Sequence, residues 1–157
     1  MTDDTYTVER SATIQAPPER VYEQIADFHN WRNWSPWEDV DPDLQRHYEG
    51  APAGTGAIYR WSGNRKAGAG RMEITDATEP THVHVDLMFD RPFKAQNPTD
   101  FRIEPDAGGS RVTWTMTGQK TLMIKVMNVF SSMDKVLGQQ FEQGLDRLRA
   151  ATERPPA

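Results

Sequence analysis

The sequence predicts an α+β fold in which a curved, seven-stranded antiparallel sheet wraps around one long C-terminal helix. Two short helices fall between the first and second strands. Three observations carry this prediction. Between Thr121 and Thr152, Leu122, Val126, Val129, Phe130, Met133, Leu137, Phe141, Leu145 and Leu148 recur mostly at steps of three and four, the period of an amphipathic helix. Between Leu44 and Gln119, short alternating runs are punctuated by Gly, Pro, Asn and Asp, the pattern of consecutive antiparallel strands. The helix has one apolar stripe, and a mostly strand-like chain offers only a sheet to bury it against.

The chain has 157 residues, enough for one domain with a real core. The expected core is residues 6–152, with loose ends at 1–5 and 153–157. Eighteen Lys and Arg against 23 Asp and Glu give a net charge of −5, which argues against nucleic acid or an acidic membrane as a general partner. The absence of cysteine excludes disulfides, thiol nucleophiles and cysteine-ligated metals. Met1–Thr5 is acidic and polar, without the basic and apolar regions of a signal peptide. No apolar run approaches the ~18 residues of a membrane span. A cytoplasmic protein without stable membrane insertion is the expectation.

Each element has its own signature. Tyr6, Val8, Ala12 and Ile14 alternate with polar residues over 6–15, a half-buried strand that also puts Arg10 on the apolar side. Ala16-Pro17-Pro18-Glu19 opens a helix, because proline and an early carboxylate suit a first turn. Val21, Tyr22, Ile25 and Phe28 form its buried face, and it stops at residues 27–30. Trp31, Trp34 and Trp37 are spaced by three. A short helical turn puts Trp31 and Trp34 on one side, and Pro36 ends that turn. Six strands follow near 43–49, 55–62, 68–78, 82–90, 98–104 and 110–118. Their inward residues are Ala57, Tyr59 and Trp61; Met72 and Ile74; Val83, Val85, Leu87 and Phe89; Phe101 and Ile103; and Val112, Trp114 and Met116. Arg71, Glu73, His82, His84, Asp86, Arg102, Glu104, Arg111, Thr113 and Thr115 take the solvated face. Gly54, Gly56, Gly63, Gly68 and Gly70 are suited to bending the sheet. A helix over all of 121–152 would be ~45 Å long, so a bend near Ser131-Ser132 or a non-helical first turn is expected.

This order of elements resembles the START-like helix-grip superfamily, also called SRPBCC, which includes polyketide cyclases, aromatases and lipid-transfer domains. The resemblance covers about residues 6–152. It rests on the first strand followed by Ala16-Pro17-Pro18-Glu19-Arg20-Val21-Tyr22, on the Trp-rich Asp27–Trp37 segment, and on Gly138–Leu148 in the last helix. Trp61-Ser62-Gly63-Asn64 with Gly68–Ile74 is similar to a bacterial subgroup of polyketide cyclase or dehydratase type. The superfamily mixes enzymes, carriers and co-chaperones, and it supplies no catalytic motif to transfer residue by residue.

A cavity between sheet and helix is what the resemblance implies, and the aromatic and methionine population agrees with it. Trp34, Trp37, Tyr59, Trp61, Met72, Phe89, Phe101, Trp114, Met116, Met127, Phe130, Met133 and Phe141 are the candidate ligand-binding residues. Methionine adapts to varied apolar shapes, and Trp and Tyr add a polar handle; each residue taken singly is also ordinary core. Three residues are candidates for chemistry. Arg10 could hold a ligand carboxylate or phenolate, or form a salt bridge with Glu38, Asp39 or another carboxylate at the core edge. Glu38 and Tyr59 are candidate proton shuttles, although the acidic run Glu38, Asp39, Asp41 and Asp43 also reads as a solvated loop. His82, His84 and Asp86 share one side of a strand, as a metal site needs, but that side is the polar one, so no metal and no cofactor is expected. The expected function is binding of a hydrophobic small molecule, lipid-like or polycyclic aromatic, as carrier or sensor. The alternatives are a polyketide cyclase or dehydratase using the same cavity, and a co-chaperone-like module with Trp31 and Trp37 at the centre of an exposed apolar patch. Oligomeric state is not legible.

Overall fold

The structure is a computed structural model that describes residues 5–91, 94–119 and 130–153, apart from the side chains of residues 39 and 130–133. Strand β1 (Thr5–Ile14) leads into helix α1 (Pro18–Ala26). Two 3-10 turns follow, Phe28–Asn33 and Pro36–Asp39. Strands β2 (Gln45–Gly50), β3 (Ala57–Ser62), β4 (Ala69–Thr78), β5 (His82–Arg91), β6 (Ala95–Asp106) and β7 (Gly109–Gln119) come next, and helix α2 (Phe130–Glu153) completes the order. The sheet runs β1-β7-β6-β5-β4-β3-β2, antiparallel throughout. Short turns pair β2 to β7 in sequence, and β1 closes the sheet beside β7.

The alternation in the sequence becomes the two faces of this sheet. Val8, Ile14, Tyr59, Ile74, Val83, Val85, Phe101, Ile103, Val112 and Trp114 are all buried on the concave side. Phe141, Leu145 and Leu148, at helical spacing on α2, are buried against them. Register shifts interrupt the β4–β5 ladder at Ala69/Gly70 and between Ile74 and Asp76, which bends the sheet there. Gly70 also lies where a Cβ would meet the Met88 carbonyl and stand 2.6 Å from the Trp61 ring, so only glycine lets Trp61 lie across the strand.

Helix α2 is tied to β1 by its side chains. The Gln15 N–H donates to Glu153 Oε2 at 2.7 Å, and Arg149 Nε donates to the Thr13 carbonyl at 3.1 Å. These bonds satisfy backbone groups that an edge strand otherwise leaves open. The 24 residues of α2 span ~36 Å. The helix is continuous through Ser131 and Ser132, and the residues expected to form its first turns, 121–129, lie outside the described residues. Among the described residues no helix is long and apolar enough to cross a membrane.

The tryptophan segment is folded by the end of α1. Trp31 Nε1 donates to the Ile25 carbonyl at 2.8 Å, and Trp34 Nε1 to the Gln24 carbonyl at 2.9 Å. Both carbonyls belong to the last turn of α1, where no intrahelical donor remains. The two rings meet at 4.6 Å between centroids, so the spacing of three does place them together, and both are buried.

Candidate functional site

A cavity of about 340 Å³ lies between the concave face of the sheet and α2. Its floor is the sheet: Tyr59 and Trp61 of β3, Met72 of β4, Val85, Leu87 and Phe89 of β5, and Trp114 and Met116 of β7. Leu137 and Phe141 of α2 form the roof. Trp37, Val40 and Leu44, with Lys66 and Ala67 of the β3–β4 hairpin, complete another side. Asp41 ties that side together: its carboxylate accepts from the Asp43 N–H and the Asn64 N–H, each at 2.8 Å.

The aromatic wall is built face to edge. Trp114 and Phe141 stack at 4.1 Å with planes 4° apart, and Trp37 stands edge-on to both. Gly144 makes that stack possible, since a Cβ there would lie 2.9 Å from Trp114 Cζ3 and 3.1 Å from Pro36 Cδ. Trp61 lies edge-on to Phe89 with ring centroids 5.6 Å apart. The Trp37 indole N–H donates to Gln140 Oε1 at 3.2 Å, and that of Trp61 to the Ala67 carbonyl at 2.9 Å.

One wall of this apolar space carries a charge. Glu38 sits on the second 3-10 turn, where Pro36 fixes the backbone so that Trp37 and Glu38 both reach the cavity. Its carboxylate is only 9% exposed. Burying a carboxylate is costly unless it is paired and hydrogen-bonded, and two strands supply the partners. Tyr59 donates its hydroxyl to Glu38 Oε2 at 2.8 Å. Arg46 of β2 places Nε 3.3 Å from Oε1 and Nη2 3.0 Å from the Glu38 carbonyl. The β2–β3 register sets Arg46 opposite Trp61 and Tyr48 opposite Tyr59, so all four share one face. Burial, then the Glu38 charge, drives the Tyr59 hydroxyl far above the ordinary tyrosine range. Burial alone would lower the Arg46 guanidinium, but Glu38 and Tyr59 outweigh that and raise it. In this arrangement Tyr59 is a phenol that donates its hydrogen to Glu38.

The opposite polar groups are neutral. Asn97 and Thr99 of β6 and Tyr6 of β1 line the cavity. Asn97 Nδ2 donates to Tyr6 Oη at 3.0 Å and to the Thr117 carbonyl at 3.3 Å, and the Thr99 hydroxyl donates to the Asn97 carbonyl at 3.0 Å. The expected strand at 98–104 begins at 95 instead. Carrying the inward parity of Phe101 and Ile103 two steps back finds Thr99 and Asn97.

The sequence candidates separate on this geometry. Trp37, Tyr59, Trp61, Met72, Phe89, Trp114, Met116 and Phe141 line the cavity together with Glu38. Trp34 and Phe101 do not: they lie behind the wall, edge-on to each other at 5.9 Å and fully buried. Met127 lies outside the described residues, as do the side chains of Phe130 and Met133. Arg10 faces the helix side of the sheet, as parity requires, but it is not part of the cavity wall. It pairs with Asp134 at 3.2 Å and Glu142 at 3.8 Å, over Gly138, instead of with Glu38 or Asp39. Val40, Leu44, Lys66 and Ala67 were not foreseen, because loop residues carry no periodicity to assign them a face.

His82 and His84 both meet Asp100 Oδ1, at 2.7 and 2.9 Å, and His84 Nε2 lies 3.5 Å from Asp86. Among the described residues no group of three or more His, Cys, Asp or Glu is arranged to hold a metal. Val136 is the exposed large hydrophobic among the described residues. Trp31 is buried and Trp37 faces the cavity, so they do not form the surface patch that an interaction module would present.

Comparisons with known proteins agree with the fold. A family model described as polyketide cyclase/dehydrase and lipid transport matches residues 5–153. No curated protein sequence matches the chain. Among solved structures, protein CV1439 from Chromobacterium violaceum is similar with a TM-score of 0.68 at 16% identity, covering 95% of this chain and 98% of that one. TTHA0849 from Thermus thermophilus follows at 0.64 and 20% identity, covering 92% and 95%. DynU16, a protein of the dynemicin biosynthetic locus, gives 0.62 at 19% identity over 97% of this chain and 48% of its own. At these identities the structural likeness speaks to the fold.

Proposed function

The chain belongs to the polyketide cyclase/dehydrase and lipid transport family, within the START-like helix-grip superfamily, and from that premise we propose that it binds a hydrophobic small molecule in the cavity between sheet and α2, as a carrier or sensor. The observation that carries this reading is the cavity itself, about 340 Å³ walled by Trp37, Trp61, Leu87, Phe89, Trp114, Met116 and Phe141. That size and lining suit a small apolar ligand oriented by a few polar groups. A well-packed core leaves few voids larger than a water molecule, and an unfilled space of this size costs stability through lost contacts. A ligand offsets that cost.

Native mass spectrometry of the freshly purified protein, repeated after organic extraction, tests the reading. The expected result is a removable adduct of defined mass, whose formula separates lipid from polycyclic aromatic ligands. Bare protein, with no thermal stabilisation by a panel of apolar compounds, would overturn it.

A second reading is a cyclase or dehydratase acting in the same cavity, and one observation favours it: the Glu38 carboxylate is held at the wall by Tyr59 and Arg46. A positioned carboxylate can move a proton to or from a bound carbonyl compound. Glu38→Gln would then abolish turnover while leaving ligand uptake in place. Arg10→Ala would act only through the packing of α2.

A further inference from the structure

We propose that the Glu38–Tyr59 wall is a hydrogen-bond-accepting pole that selects an uncharged ligand carrying a hydroxyl, an alcohol or phenol on an apolar skeleton, over ligands that carry a carboxylate. This rests on the cavity being the binding site and says which chemistry it takes.

The donors of Tyr59 and Arg46 are already committed to Glu38. The Tyr59 hydroxyl has one hydrogen, and it points at Glu38 Oε2. Arg46 meets Glu38 through Nε and Nη2 and is not itself part of the cavity wall. What remains toward the cavity is acceptor capacity: the free lone pairs of the Glu38 carboxylate and those of Tyr59 Oη. A ligand hydroxyl can donate into that pair, and a hydrogen bond to a charged acceptor in a water-poor site is among the stronger ones. A ligand carboxylate at the same place brings a second negative charge against a buried first one, which a low-dielectric wall does not screen. Among the described lining residues the only cation is Lys66, on the exposed hairpin. An acid could meet it there, leaving Glu38 without a ligand partner.

Isothermal titration of the full-length protein with four ligands of one skeleton separates the possibilities: phenanthrene, 9-phenanthrol, 9-methoxyphenanthrene and phenanthrene-9-carboxylate. The expected order puts 9-phenanthrol at least about tenfold tighter than phenanthrene and the methyl ether, with the carboxylate weakest. In Glu38→Gln the preference for the phenol shrinks severalfold and the carboxylate gains. Equal binding of phenol, ether and parent would overturn the acceptor pole while leaving the apolar cavity intact as a binding site. A carboxylate that binds tightest would also overturn it. Failure of all four to bind would overturn this selectivity, and the binding function falls with it only if native mass spectrometry also finds no adduct. The wild-type series decides the matter even if Glu38→Gln does not fold.

Discussion

Single residues decide what the cavity wall can do, and Tyr59 is the most constrained of them. Its hydroxyl bonds a buried carboxylate, so Tyr59→Phe leaves Glu38 with only Arg46. A destabilisation of about 1–3 kcal/mol is expected, from chemical denaturation against wild type. A change within measurement error would mean that the carboxylate finds water instead. A different cluster governs the response to pH. Burial works against a charged His84, but its bonds to Asp100 outweigh this and raise it above the ordinary histidine value of 6.5. Burial likewise opposes the Asp100 charge, yet His84 and His82 hold it below the ordinary 3.8. The histidine's contribution is therefore complete below pH 6.5 and is lost as pH rises through the raised value; the aspartate's is present above pH 3.8 and is lost as pH falls through the lowered one. Melting temperature should fall as pH rises above the ordinary histidine value of 6.5, and His84→Gln should flatten that slope. An unchanged slope in the variant would assign the pH response elsewhere.

At the level of elements, α2 shows how close packing is bought with glycine. Gly138 and Gly144 each lie in the middle of a helix, where glycine costs about 1 kcal/mol relative to alanine. Their neighbours differ in rigidity. A Cβ at Gly138 would meet the Arg10 guanidinium, the free end of a long side chain that can swing aside. A Cβ at Gly144 would meet Trp114, which is wedged among Trp34, Phe101 and Phe141. Gly138→Ala should thus be close to neutral, while Gly144→Ala should lose about 1–3 kcal/mol by overpacking. If thermal unfolding ranked the two variants the other way, the Trp114 stack would be softer than its geometry implies. The elements were largely legible in the sequence. Strands β1–β7 fall within a few residues of where alternation and turn residues put them, because each is long enough for its period to be read. The candidate site was less legible. Tyr59, Trp61 and Phe141 could be named from their faces, but periodicity cannot tell a residue facing a void from one facing a neighbour, so Trp34 and Phe101 read the same way as Trp37. The partners of Arg10 did have a signal: Asp134, Gly138 and Glu142 are four apart on one helix face. What sequence spacing lacks is the distance between helix and strand.

For the whole molecule, the question is whether the interior is filled by side chains or by something bound. Val85 is buried and lines the cavity. In a packed core, Val85→Phe would cost about 1–3 kcal/mol. With an open space before it, the ring should leave the melting temperature unchanged or raised, and ligand uptake should disappear. Destabilisation together with retained uptake would place the ligand elsewhere.

The pairing of β1 with β7 has a consequence in time. Val8 lies beside Met116 and Ile14 beside Ser110, so the first strand of this sheet to be made waits for the last. Until then the β7 edge is open, and α2, which must cover the apolar face, does not yet exist. Closure of so long a loop is slow, and a nascent chain with an unpaired edge and a bare apolar face is the form most exposed to aggregation. This protein's vulnerability in the cell thus belongs to its synthesis more than to its finished state.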